Sequence, residues 1–186
     1  MKRTLLFVNV ALVCLALVAA ACGAAEPTID TPTAEMNLTA ADLGAGWSVT
    51  EEQLRDQLAD TLGASDLVDA NMRIFRGDQA VLVSQLASVK SVASAKATMA
   101  GDFVEAFKNG MEAQLPGVTL VEVDAPDVGE EPVMLAATIG NLGMEAYVLA
   151  FRKANVVATL FVMGPGDVAT AEMLTGYGQV LEAKIQ

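Results

Sequence analysis

The sequence predicts an α+β domain, an antiparallel sheet of about five to six strands with helices packed on it. Hairpin-spaced strand patterns outnumber strand–helix–strand alternations, so neighbouring strands turn back on one another instead of crossing over. The strand runs show alternation and β-branched residues, chiefly Val, and they are cut by tight Gly- and Pro-containing breaks. Apolar stripes at four-residue spacing mark helices before, between and after them. A chain of 186 residues with no internal repeat suits one domain with a real core.

The elements follow in order. Thr39 caps a short turn ending at Leu43, and Asp42 in its first turn favours the helix dipole; Gly44 and Gly46 break it before Trp47. Residues 51–62 read as a second helix, with Thr50 as cap, Leu54, Leu58 and Leu62 as its stripe, and Gly63 as its end. Residues 72–76 and 80–88 form a hairpin across Gly77-Asp78. The longest helix spans 91–115, with Met99, Phe103, Phe107, Met111 and Leu115 along one face before Pro116-Gly117. Residues 118–124 alternate as a strand, 124–132 make an acidic Pro/Gly loop, and 133–139, 144–152 and 156–163 give three more strands. After Gly164-Pro165-Gly166, Asp167 caps a last helix striped by Leu174, Tyr177, Leu181 and Ile185 and weakened by Gly176 and Gly178.

Ahead of the domain lies a leader. Lys2 and Arg3 precede an apolar run over residues 5–18, and Ala19-Ala20-Ala21 closes it. The cations stay cytoplasmic while the apolar helix enters the bilayer, and small side chains fit a peptidase cleft. Ala19-Ala20-Ala21-Cys22-Gly23 resembles the bacterial lipobox. The resemblance implies that residues 1–21 are a cleaved signal peptide and that Cys22 takes a diacylglycerol, becoming a lipid-bearing N-terminus. Two alternatives compete: an ordinary A-x-A cut, which leaves a bare thiol beside the break, and an uncleaved anchor, which is short and interrupted by Asn9. Residues 23–37, mostly Ala, Thr, Pro and Glu, read as a flexible tether between Cys22 and a globular domain at 38–186.

Charge and composition exclude much. The chain has 11 Lys and Arg against 23 Asp and Glu; losing Lys2 and Arg3 with the leader leaves nine cations and a net charge of −14. Such a surface repels nucleic-acid backbones and anionic headgroups, so no nucleic-acid partner is expected and lipid must hold the membrane. There is no histidine, which removes Ser-His-Asp and Cys-His catalysis and histidine-ligated zinc. Cys14 lies in the leader, so the mature form can close no intrachain disulfide.

Asp42-Leu43 leading to Gly46-Trp47 is similar to the opening of many small bacterial lipoproteins. The later order, an Ala-rich helix, a β-branched strand, an acidic loop ending in Pro132, paired strands and a terminal helix, resembles the PsbP-like fold over roughly 38–186. That resemblance implies an antiparallel sheet between helices and binding or accessory roles, and it carries over no functional residue.

Candidate site residues are few. Asp124, Asp127, Glu130 and Glu131 could gather around Ca²⁺, or simply face water. Trp47 could line a ligand cleft or plug the domain's opening turn. Arg73, Arg76 and the Arg152-Lys153 pair could meet an anionic ligand or their own neighbours. The methionines sit at core spacing, and no serine stands in a nucleophile motif or glycine-rich phosphate loop. No cofactor is expected. The expected function is a lipid-anchored, extracytoplasmic, non-enzymatic binding or accessory protein for an unidentified protein or small molecule. The alternative is a carrier that holds an apolar ligand between sheet and helix.

Overall fold

The computed structural model describes residues 26–62, 66–100, 103–114, 118–139 and 143–186. Its elements are α1 (Thr33–Met36), α2 (Ala40–Leu43), β1 (Ser48–Leu54), α3 (Arg55–Leu62), β2 (Leu67–Arg76), β3 (Val81–Val89), α4 (Val92–Ala100), α5 (Phe103–Gln114), β4 (Val121–Val123), β5 (Glu130–Ile139), β6 (Met144–Lys153), β7 (Val156–Pro165) and α6 (Ala171–Lys184). All strands join one antiparallel sheet in the order β1-β2-β3-β7-β6-β5-β4. Two meanders, β1–β3 and β4–β7, meet where β3 pairs with β7. Helices α4 and α5 carry the chain from β3 at the middle of the sheet to β4 at its far edge.

The α+β expectation holds, with seven strands instead of five to six. The additional strand is β1, which the four-residue leucine spacing had assigned to helix. Val49 and Thr50 are β-branched, and the segment pairs with β2 from Ser48 opposite Arg76 to Leu54 opposite Asn71. Only the second half of that leucine repeat is helical. Leu58 on α3 is fully buried, whereas Leu54, the last residue of the strand, is 53% exposed. Gln57 Oε1 accepts the Leu54 N–H at 3.0 Å, so the side chain closes the strand-to-helix junction.

Strand alternation sorts the core onto both faces. Val83 and Ala87 of β3, Val148 and Ala150 of β6, and Val157 and Phe161 of β7 face one layer, with Leu58, Met99 and Phe107 from α3, α4 and α5. Leu82 and Leu86, Leu149 and Phe151, and Leu160 and Val162 face the other, with Met36, Leu43, Leu174 and Leu181 from α1, α2 and α6. The sheet lies between helical layers, and its central strands β3 and β7 are buried along nearly their whole length.

Helix α4 and helix α5 occupy the stretch expected as one long helix; residues 101–102 between them lie outside the described residues. Met99 and Phe107 from the expected stripe are buried against the sheet. The last helix is capped by Thr170, whose hydroxyl accepts the Met173 N–H at 3.1 Å, and not by Asp167, which is exposed. Chain from Val156 continues as strand through Pro165, so the turn falls later and moves the cap with it.

The largest departure concerns the expected tether. From Ile29 on, the chain is hydrogen-bonded to the domain, after a half-exposed Glu26–Lys96 ion pair, and Thr33, Met36, Asn37 and Leu38 are buried in its core. Leu38 and Met36 supply the apolar reason, since both are almost fully buried.

Candidate functional site

Residues 26–38 run around one end of the sheet as a strap. Lys96 Nζ on α4 contacts Glu26 at 3.0 Å. Asn155, in the β6–β7 turn, then clamps Ile29: its Oδ1 accepts the Ile29 N–H at 2.6 Å and its Nδ2 donates to Ile29 O at 3.3 Å. The Thr31 hydroxyl donates to the Gln186 carbonyl at 2.7 Å. Thr33 donates to Asp69 Oδ2 from both its N–H and its hydroxyl, each at 2.8 Å. A surface groove of about 450 Å³ lies along this path, bounded by Thr28–Pro32 on one side and by Val68, Asp69, Ser88, Lys90 and Asn155 on the other.

The strap ends in a buried polar network. Asn37 Nδ2 donates to Asn71 Oδ1 at 2.6 Å and to Ser84 O at 3.2 Å, while its Oδ1 accepts the Leu38 N–H at 2.8 Å and the Ser84 hydroxyl. Every polar atom of a buried asparagine is thus used, which fixes its place in the core. Asn71 passes the network on to Glu52 at 2.9 Å. That bond is the main reason the Glu52 carboxyl lies below its ordinary pKa, against the opposing effect of burial and with help from Arg73.

The residues singled out from sequence fall in separate places. Arg73 is absorbed by its own fold: it pairs with Glu52 at 2.8 Å and donates to Leu38 O at 2.9 Å and Ala34 O at 3.0 Å. Arg76 is exposed at the opposite end of β2, beside the Gly77-Asp78 turn. Trp47 is half-buried, stands edge-on to Tyr177 of α6 with ring centroids 6.2 Å apart, and lies over Gly77, where a Cβ would approach its ring to 3.3 Å. It closes the turn; these three candidates do not share a site. Cys22 lies outside the described residues.

The acidic loop divides. Asp124 and Asp127 are exposed, while Glu130 and Glu131 belong to β5 and bracket Arg152, whose side chain is only 5% exposed. Glu131 is bidentate, accepting from Nε at 2.9 Å and from Nη2 at 3.2 Å. Glu130 Oε2 sits 2.7 Å from Nη1 in an ion contact without hydrogen-bond alignment. Chiefly through Glu131, against burial, the guanidinium is held still more firmly in its charged form. A bulge between Glu130 and Val133, with Gly129 and Glu131 at positive φ, turns both carboxylates toward the arginine. Among the described residues no three metal-ligating side chains converge. Lys153 donates to Glu182 O at 2.9 Å, tying α6 to the same end of the sheet.

A second groove, of about 330 Å³, opens beside the edge strand and is lined by Thr119, Val121, Ala136, Thr138, Glu145 and Tyr147. The Tyr147 hydroxyl donates to Glu145 at 2.6 Å. That bond, then burial and the negative charge of Glu145 and Glu172, pushes the phenol up to about 12, so it stays a neutral donor. Ser91 and Ser94 form a helix start: Ser91 Oγ accepts the Ser94 N–H at 3.1 Å, and Ser94 Oγ donates to Asp66 at 3.1 Å.

Sequence reasoning missed Asn37, Asn155 and Asp69. A polar residue in a Thr/Pro/Glu-rich stretch gives no sign of burial, and the signal available was local: Met36 and Leu38 flank Asn37 with enough apolar surface to demand a core.

What fold and site define is a seven-stranded antiparallel α+β domain with an N-terminal strap held across one end of its sheet. No helix among those residues is long and apolar enough to cross a membrane. No protein-family model and no curated protein matches the chain. Among solved structures, the extracellular domain of PknH from Mycobacterium tuberculosis is similar with a TM-score of 0.62 at 12% identity, over 87% of this chain and 98% of that one. At that identity the likeness is one of fold. An uncharacterised protein from Mycobacterium smegmatis aligns at a TM-score of 0.41 and 9% identity, over 76% of this chain and 90% of that one, too weak to argue from.

Proposed function

We propose that this chain is a lipid-anchored extracytoplasmic protein whose domain, of PsbP-like type, serves a binding or accessory role and performs no catalysis. The observation that carries the reading is the order cationic start, apolar run, Ala19-Ala20-Ala21, Cys22 at the head of a strongly acidic domain. A fold shared with the extracellular domain of PknH supports it, as do site candidates that are spent on internal pairing. Metabolic labelling with an alkyne fatty acid tests it in a lipoprotein-processing host. The wild-type chain takes up label and stays with membranes; Cys22→Ser does neither. Equal membrane retention of Cys22→Ser and wild type would refute the anchor.

One observation favours the carrier as a second reading. Gln85 on β3 is 2% exposed, points into the layer under α4 and α5, and leaves both Oε1 and Nε2 without a partner among the described residues. A buried amide with nothing to bond costs about 1–3 kcal/mol, and an apolar ligand with one polar head would satisfy it. Native mass spectrometry decides the matter. A carrier retains a small molecule that Gln85→Met loses; a chain that is empty in both forms, and more stable as Gln85→Met, rules carriage out.

A further inference from the structure

Resting on the anchored reading, we infer that the strap sets the orientation of the domain on the bilayer: the sheet end at the Lys153–Asn155 turn faces the lipid, and the end bearing Trp47 and Arg76 is presented outward. The chain is clamped at Ile29, after a half-exposed Glu26–Lys96 ion pair, and residues 23–28 separate that clamp from Cys22. Seven residue steps span at most about 25 Å in any conformation. The expected fifteen-residue tether is therefore reduced to less than the length of the domain, since ten-residue strands such as β6 run about 30 Å.

The direction follows from the contacts. Glu26 meets Lys96 at the middle of α4, Ile29 meets Asn155 between β6 and β7, and Thr31 meets Gln186 after α6. Val89 donates to Asn155 O at 3.0 Å, and Leu67 stands opposite Val89, so the start of β2 belongs to this end. Trp47 precedes Ser48, which pairs with Arg76, at the other end of the same strands. The membrane-facing end mixes Asp30, Asp66 and Asp69 with Lys90, Lys96 and Lys153, so it is held near lipid by the anchor and not drawn there by a basic patch. The partner of this surface is the bilayer itself, at a distance that Cys22 imposes.

The test uses the chain from Cys22 onward, which contains every described residue and one cysteine, coupled through that thiol to a maleimide lipid in neutral phosphatidylcholine vesicles. Trp47 is the only tryptophan, and Val68, 52% exposed at the start of β2, offers a site at the opposite end. Energy transfer to a dansyl-headgroup lipid is expected to be several-fold stronger from Trp47→Phe/Val68→Trp than from the unaltered Trp47. Releasing the strap with Asn155→Ala/Asp69→Ala should raise transfer from Trp47, a comparison that keeps its packing on Tyr177 intact. Equal transfer from both positions, or no change on release, overturns the orientation. Because coupling is chemical, this result stands or falls on the strap alone; an unacylated Cys22 in the native chain would remove the anchored reading separately.

Discussion

Asn155 holds Ile29 by both backbone groups, accepting its N–H at 2.6 Å and donating to its carbonyl at 3.3 Å across 126 residues of sequence. The same amide donates to Val89 O at 3.0 Å, so one buried side chain joins strap, β3 and the β6–β7 turn. Asn155→Ala orphans these groups and should cost about 1–3 kcal/mol in urea unfolding, with faster amide exchange at Ile29 and Thr33. Unchanged exchange at those amides would show that the strap does not depend on the clamp.

Arg152 is buried between two carboxylates that remain about half exposed. Arg152→Ala should destabilise by about 2–3 kcal/mol, less than the 3–5 of a fully buried pair because Glu130 and Glu131 can rehydrate. Arg152→Met keeps the apolar stem and should lose less. Equal losses in urea titrations would assign the effect to charge alone.

The two glycines of α6 should behave oppositely. A Cβ on Gly176 meets nothing, so Gly176→Ala should stabilise by about 0.5–1 kcal/mol through helix propensity. On Gly178 it would stand 2.6 Å from Leu149 Cδ2 and 3.3 Å from Val128, so Gly178→Ala should lower the melting temperature. A rise in both would mean that α6 is free to move off β6.

Asp42 predicts an acid limb of stability. Burial raises its carboxyl, but Lys184 at 2.6 Å and the Thr39 hydroxyl and N–H together hold it below the ordinary range. A depressed folded pKa gives stability that is complete above the unfolded value, about 4, and is lost as pH falls below it. Asp42→Asn should flatten this part of the stability profile between about pH 5 and pH 3; an unaltered slope would contradict the pairing.

The hairpin at Gly77-Asp78 and the strands β5 to β7 were legible because alternation and turn chemistry act locally. Residues 48–54 were not, since Leu54, Leu58 and Leu62 satisfy a helical period while β1 gains its strand character from pairing with β2. Asp167 follows the Gly-Pro-Gly break and mimics a cap, whereas β7 runs on to Pro165 and leaves the capping position to Thr170. The strap was hidden for a different reason: its hold comes from Asn155, Asp69 and Gln186, all distant in sequence. Arg73 and Arg152 read as candidate ligand contacts only until their carboxylate partners are placed beside them.

The central claim is tested most directly by the intact mass of the chain extracted from host membranes. The account predicts a protein starting at Cys22 and heavier than its amino acids by a diacylglyceryl group, with or without a further acyl chain. A polypeptide of unmodified mass, or one still carrying residues 1–21, would contradict it.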